Sequence, residues 1–197
     1  MFLVIKMIFA SNNEGKIREI KAILKNQEIY SLKDKNIDID IEETGKTFYE
    51  NALIKAKTIF DLKGIPTIAD DSGLIFEELG DWPGVNTKRI SNDQSNDEQD
   101  RNRILIEKGK TLQNKTIYAI CSLVYYDGKN IISAEGKMEG TITTEEYPGN
   151  GFGFDRVFRL KDGRVVSSLT KEEKNTLSHR AKALSLLKEK LNNIKMD

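Results

Sequence analysis

The chain opens on MFLVIKMIFA, a run broken only by Lys6, which passes directly into the polar loop SNNEGK and then into Ile17, Ile20 and Leu24 at helical spacing. A strand this apolar must be covered on its faces, and the helix that follows carries one apolar stripe able to cover it. Strand, loop and helix in immediate succession therefore commit the first part of the chain to an α/β arrangement. Lys6 and the lack of a small-residue cleavage site after the run argue against a secretion signal and for a buried first strand. Ser11 with Glu14 matches a capping box that would start the helix.

The pattern continues downstream. Thr47 with Glu50 forms a second capping box, and Phe48, Ala52, Ala56 and Ile59 behind it line one stripe for packing on a sheet. Pro66 ends the approach to a short buried strand, PTIAD, with Ser72 and Gly73 read as a tight turn after it. Residues 91–103, SNDQSNDEQDRNR, predict a solvent loop running into a helix that carries Ile104 and Leu105. From Thr116 the signal turns to β: TIYAICSLVYY, an Asp127-Gly128 turn, then NIISAEGKM, with Gly136 and Gly140 marking bulges or bends in antiparallel strands. Ala181, Leu184, Leu187 and Leu191 predict a closing helix from about Ser178 to Leu191. No internal repeat or proline-rich linker interrupts the order.

Composition then bounds the function. At 197 residues the chain suits one domain or two closely joined lobes, burying roughly 70% of the surface its unfolded form exposes. Lys plus Arg and Asp plus Glu both number 31, so no basic excess exists to track a polynucleotide backbone, and long nucleic acid is excluded as the expected partner. The single cysteine, Cys121, can make neither an internal disulfide nor a multi-thiolate metal site, which points to a reducing compartment and a cytoplasmic location. No segment reaches the ~18 apolar residues of a membrane helix.

Four stretches can carry chemistry. IADDSGL places Asp70 beside Asp71, two charges that need cancelling; with Glu42 of IEETG they suit Mg2+, which takes one or two carboxylates and bridges to substrate phosphates. The competing reading gives the aspartates to a turn. SNNEGK puts exposed amides and Lys16 at a helix N-terminus, an anion site, although Ala10 and Ile17 rule out a Walker loop; otherwise Ser11 simply caps the helix. PGNGFGFDRVF interleaves Gly149, Gly151 and Gly153 with Phe152 and Phe154 before Asp155, either a surface for stacking a base or a bend with two core phenylalanines. LTKEEKNTLSHRAKAL sets His179 and Arg180 in the first turn of the last helix, where cations are disfavoured by the dipole and invite an electronegative partner; a lone histidine also serves structure.

Taken in order, Ser11, Asn13 and Lys16, FYENALIKA, IADDSGL, the Pro83 to Val85 segment with Arg89, GFGFD and LTKEEKNTLSHR resemble the inosine triphosphate pyrophosphatase family, the XTP/dITP diphosphatases, from Met7 to about Leu191. The resemblance implies an α/β fold with a long central mixed β-sheet flanked by helices, residues 1–197 forming a single domain of two lobes with the active-site cleft between them. It implies a Mg2+-dependent homodimer that hydrolyses ITP, dITP and XTP to the monophosphate and pyrophosphate. It carries over Ser11, Asn13, Lys16 and Ser72 to the phosphates, Glu42 and Asp71 to the metal, and Asp71 to the role of general base with Asp70 in support. Phe152, Gly153, Phe154, Asp155, Lys174, His179 and Arg180 would form the purine pocket. The chain departs from the family pattern at Trp82, Asn86, Thr87 and Phe154, the last keeping an aromatic face but not a polar handle. A Maf-type nucleotide pyrophosphatase and a non-catalytic nucleotide-binding module are the alternatives.

Overall fold

A computed structural model describes residues 4–91 and 97–193. Six strands form one sheet: β1 (Lys6–Phe9), β2 (Glu28–Ser31), β3 (Thr67–Phe76), β4 (Thr116–Tyr126), β5 (Ile131–Ile142) and β6 (Phe158–Leu160), in the order β2-β1-β3-β4-β5-β6. Both β2 and β3 pair parallel with β1, while β6 pairs antiparallel with β5, so the sheet is mixed. The helices are α1 (Glu14–Ile23), α2 (Phe48–Lys63), α3 (Glu98–Thr111), α4 (Lys171–Leu177) and α5 (His179–Asn193). No helix among the described residues is long and apolar enough to cross a membrane.

The described residues fall into two compact units. The first comprises residues 4–72, 121–136 and 179–193. Its strands bury both faces because alternate side chains point opposite ways. Met7 and Phe9 of β1 and Ile68 of β3 pack with Ile20 of α1, with its C-cap Leu24, and with Leu184 and Leu187 of α5. Ile8 of β1, Ala10 just after it and Ala69 of β3 pack instead with Ala52, Ala56 and Ile59 of α2. The expected stripe on α2 is therefore its core face, and the Thr47–Glu50 capping box is present in full. Gly64, at φ 63°, closes α2 in the left-handed conformation that glycine takes without strain.

The second unit comprises residues 73–120 and 137–178 without the undescribed 92–96. Leu74 and Phe76 of β3, Leu105 and Ile106 of α3, Ile117 of β4, Met138 and Ile142 of β5 and Phe158 of β6 make its core.

Several expectations need correction. Asn13, not Ser11, caps α1: its side chain accepts from the Lys16 amide at 3.0 Å, while the Ser11 hydroxyl accepts from the Asn13 amide. Ser72 and Gly73 make no turn; β3 runs on through them to Phe76, since Leu74 and Phe76 supply a second apolar face that PTIAD alone lacks. Helix α4 went unseen, and Ser178 is its C-cap, the closing helix beginning at His179. Gly136 is no bulge: any β-carbon there would collide with the His179 carbonyl, so the glycine lets α5 lie directly on β5. The β4–β5 hairpin holds, its turn fixed by Asp127 Oδ1 accepting from the Lys129 and Asn130 amides. Part of the polar loop, residues 92–96, and residues 1–3 of the expected first strand lie outside the described residues.

Candidate active site

The two aspartates do not confront each other. Being consecutive in β3 they point to opposite faces, Asp70 with Ile68 toward α1 and α5, Asp71 with Ala69 toward α2. Protein groups cancel each charge separately. Asp70, 1% exposed, takes Lys16 Nζ at 2.8 Å and Arg180 Nε at 3.2 Å on Oδ2, and the Cys121 thiol donates to the same oxygen. Burial alone would raise its pKa, but Lys16 and Arg180 win and hold the carboxyl far below the usual carboxylate range. Cys121 shows the reverse: burial, then the charge of Asp70, push its thiol up to about 12.

Lys16 reaches Asp70 because α1 begins one short loop after β1, which pairs directly with the first residues of β3. One turn further on, Glu19 accepts from Arg180 Nη1, and Arg180 Nη2 donates to the Ser72 hydroxyl at 3.1 Å. The electronegative partners expected for Arg180 at a helix start are thus Asp70 and Glu19. His179 beside it is buried.

Asp71 sits in different surroundings. Its Oδ2 accepts from Asn51 Nδ2 at 3.0 Å and its Oδ1 from the Ser72 amide at 3.0 Å, with Lys55 Nζ 3.7 Å from Oδ1. Lys55 is held at 2.7 Å by Glu43. Burial outweighs Lys55 and, with Glu43 opposing ionisation as well, raises the Asp71 pKa. Glu42, on the same loop as Glu43, is solvent-exposed. Among the described residues no three His, Cys, Asp or Glu side chains form a ready-made metal cage.

In the second unit, Lys174 Nζ pairs with Asp155 Oδ2 at 2.5 Å and stands 4.2 Å from the Phe152 ring centre. The same carboxylate accepts from the Phe152 amide, and the Gly153 carbonyl accepts from Asn102 of α3. Gly151, at φ 102°, is required because a side chain there would strain the backbone and strike Asp155. Phe154 packs near Phe158 of the core, with ring centres 6.5 Å apart. The departures from the family pattern have local roles: Thr87 accepts from the Leu74 amide and donates to the Gly84 carbonyl, and Trp82 packs on Phe76 with ring centres 5.2 Å apart. Ser11, Asn13, Lys16, Ser72, His179 and Arg180 thus belong to the first unit with Asp70 and Asp71, and Phe152, Gly153, Phe154, Asp155 and Lys174 to the second.

A family model described as the Ham1 family matches residues 7–190. The chain belongs to the Ham1 family. Curated relatives of this Ham1-family chain include the dITP/XTP pyrophosphatase of Bacillus licheniformis, 42% identical over 187 residues that span 92% of this chain and 95% of the relative. That of Bacillus subtilis is 38% identical over 192 residues, 95% of this chain and 97% of the relative. The solved Ham1 protein of Coxiella burnetii superposes with a TM-score of 0.87 at 30% identity, covering 96% of this chain and all of that one. For the Ham1 protein of Staphylococcus aureus the TM-score is 0.85 at 29% identity, over 95% and 98%. The family resemblance and the α/β fold class are both borne out.

Sequence reasoning missed Glu19, Glu43, Asn51 and Lys55. The signal was there for two of them: Asn51 and Lys55 are polar residues at i and i+4 bordering the Ala52–Ala56 stripe of α2, where a polar pair needs a buried partner.

Proposed function

We propose that this Ham1-family protein hydrolyses the non-standard purine nucleoside triphosphates ITP, dITP and XTP to the monophosphate and pyrophosphate. Relatives named dITP/XTP pyrophosphatase match nearly its whole length. The observation that carries the mechanism is Asp71: a carboxylate 3% exposed, its pKa raised by burial, with donors on both oxygens. A base whose pKa lies nearer the working pH takes a proton more effectively in the transition state.

In this reading Ser11, Asn13, Lys16 and Ser72 bind the triphosphate, and Asp71 takes a proton from water as that water's oxygen bonds to the α-phosphorus. The bond from the α-phosphorus to the bridging oxygen breaks, and pyrophosphate leaves. Asp70 serves as the fixed anchor that keeps Lys16 in place, and a cation fixed beforehand stabilises growing phosphate charge without reorganising. Asp71, with Glu42 on the loop that also bears Glu43, would hold Mg2+, an ion that takes one or two protein carboxylates and fills the rest of its coordination with water and substrate phosphates. When bound, Mg2+ would neutralise phosphate charge. Lys55, 2.7 Å from Glu43 and 3.7 Å from Asp71, offsets the charge of both acids.

In the same reading the base falls to Phe152, Gly153, Phe154, Asp155 and Lys174, with His179 and Arg180. A donor facing the 6-position donates to a keto oxygen but meets adenine's amino group donor to donor, a mismatch that can discriminate by ~10⁴. The protein acts in this proposal as a cytoplasmic homodimer.

The test is pyrophosphate release with Mg2+ from ITP, XTP, GTP and ATP in parallel, with UTP and dTTP alongside. ITP and XTP should be turned over well above ATP. No pyrophosphate from ITP, or equal turnover of ATP, overturns the reading; preference for UTP or dTTP would point to Maf-type activity, and tight ITP binding without product to a binding module.

A further inference from the structure

We propose that Asn51 is a positioning residue for the reaction, locking the Asp71 carboxylate at a fixed angle and tying to it the loop that bears Glu42 and Glu43. The inference rests on the reading of Asp71 as the base. Asn51 is fully buried on α2, and its amide is spoken for at both ends: Oδ1 accepts from the Gly45 backbone N–H at 2.8 Å, and Nδ2 donates to Asp71 Oδ2 at 3.0 Å. A backbone N–H can only donate, so Oδ1 must face Gly45 and the amide cannot turn over; Nδ2 is thereby aimed at Asp71.

The fit at Gly45 is close. A β-carbon there would lie 2.6 Å from Asn51 Oδ1 and 2.8 Å from the Asn51 backbone nitrogen, so glycine is what allows the loop to reach the amide. The loop is fixed further by Glu50 Oε2, which accepts from the Lys46 and Thr47 amides. On the Asp71 side, the Ser72 amide holds Oδ1 while Asn51 holds Oδ2, and a carboxylate with a donor on each oxygen cannot rotate about its Cβ–Cγ bond. Its remaining lone pairs keep one direction, which is what proton transfer in a defined geometry requires.

The experiment is pyrophosphate release from ITP with Mg2+ by wild type, Asn51→Asp, Asn51→Ala, Asp71→Asn and the double variant Asn51→Ala with Asp71→Asn. Asn51→Asp keeps the shape and the acceptor for Gly45 but loses the donor to Asp71, so it carries the test if Asn51→Ala fails to fold. Each single Asn51 variant should lower kcat by about 10²-fold with KM within about threefold. The double variant should be no more than about twofold slower than Asp71→Asn, because a residue acting through Asp71 has nothing left to position. Losses that multiply in the double variant, or an Asn51→Asp protein with unchanged kcat, overturn the proposal. Wild type that releases no pyrophosphate, or a fully active Asp71→Asn, overturns the functional reading itself, and this one with it.

Discussion

Asp70 and Asp71 are neighbours with opposite thermodynamic signs. Asp70 is held below its ordinary pKa, so the stability it contributes is present above the normal carboxylate range and is lost as the pH falls through its folded value. Asp71 is held above its ordinary pKa, so keeping it ionised costs stability that returns as the pH falls toward the unfolded value. Asp70→Asn leaves Lys16 and Arg180 buried with one acid fewer, a loss of roughly 3–5 kcal/mol and a drop in Tm on the order of 10 °C. Asp71→Asn, with Lys55 still held by Glu43, should instead raise Tm by roughly 2–4 °C while leaving only a small residual turnover. Calorimetry of the two variants at neutral pH checks both signs. That the aspartate pair needs partners for its charge was legible in IADDSGL; the separation of the two was not, because it depends on residues 72 and 73 continuing a strand. Neither were Lys16, Arg180 and Asn51 legible as partners, for those pairs close over separations of tens of residues that no local pattern records.

Helices α1 and α2 are positioned by their caps as much as by their apolar faces. The Thr47–Glu50 box was readable from four residues, since every bond in it is local. The Asn13 cap was not, because Ser11 and Asn13 both suit the position and only the register of the helix decides between them. Thr47→Ala should cost about 1 kcal/mol, and because Glu50 also accepts from Lys46 and Thr47, hydrogen exchange at those two amides should quicken by more than at the middle of α2. Exchange measured by NMR tests it, and an unchanged rate would detach the loop from its cap. Helix α4 escaped notice because its seven residues are too few to show a period, and its order comes from a capping box, Thr170 with Glu173.

Across the whole chain, balanced charge and one buried thiol set expectations that solution measurements can check. Cys121, fully buried with its thiol pushed up to about 12, should resist alkylation at pH 8 in the native protein and react only on unfolding, as mass spectrometry would show. Sedimentation equilibrium should return twice the 22.4 kDa chain mass if the proposed homodimer forms. Strand β3 threads the mass of the protein, feeding the core of the first unit with Ile68 and of the second with Leu74 and Phe76. Its alternation is also a code with a parity. Deleting a single residue ahead of Asp70 would exchange the two acids between faces, handing the anchor's cations to the base and the base's donors to the anchor. A frame shift of one position, harmless in a loop, would here silence the enzyme without removing any of its chemistry.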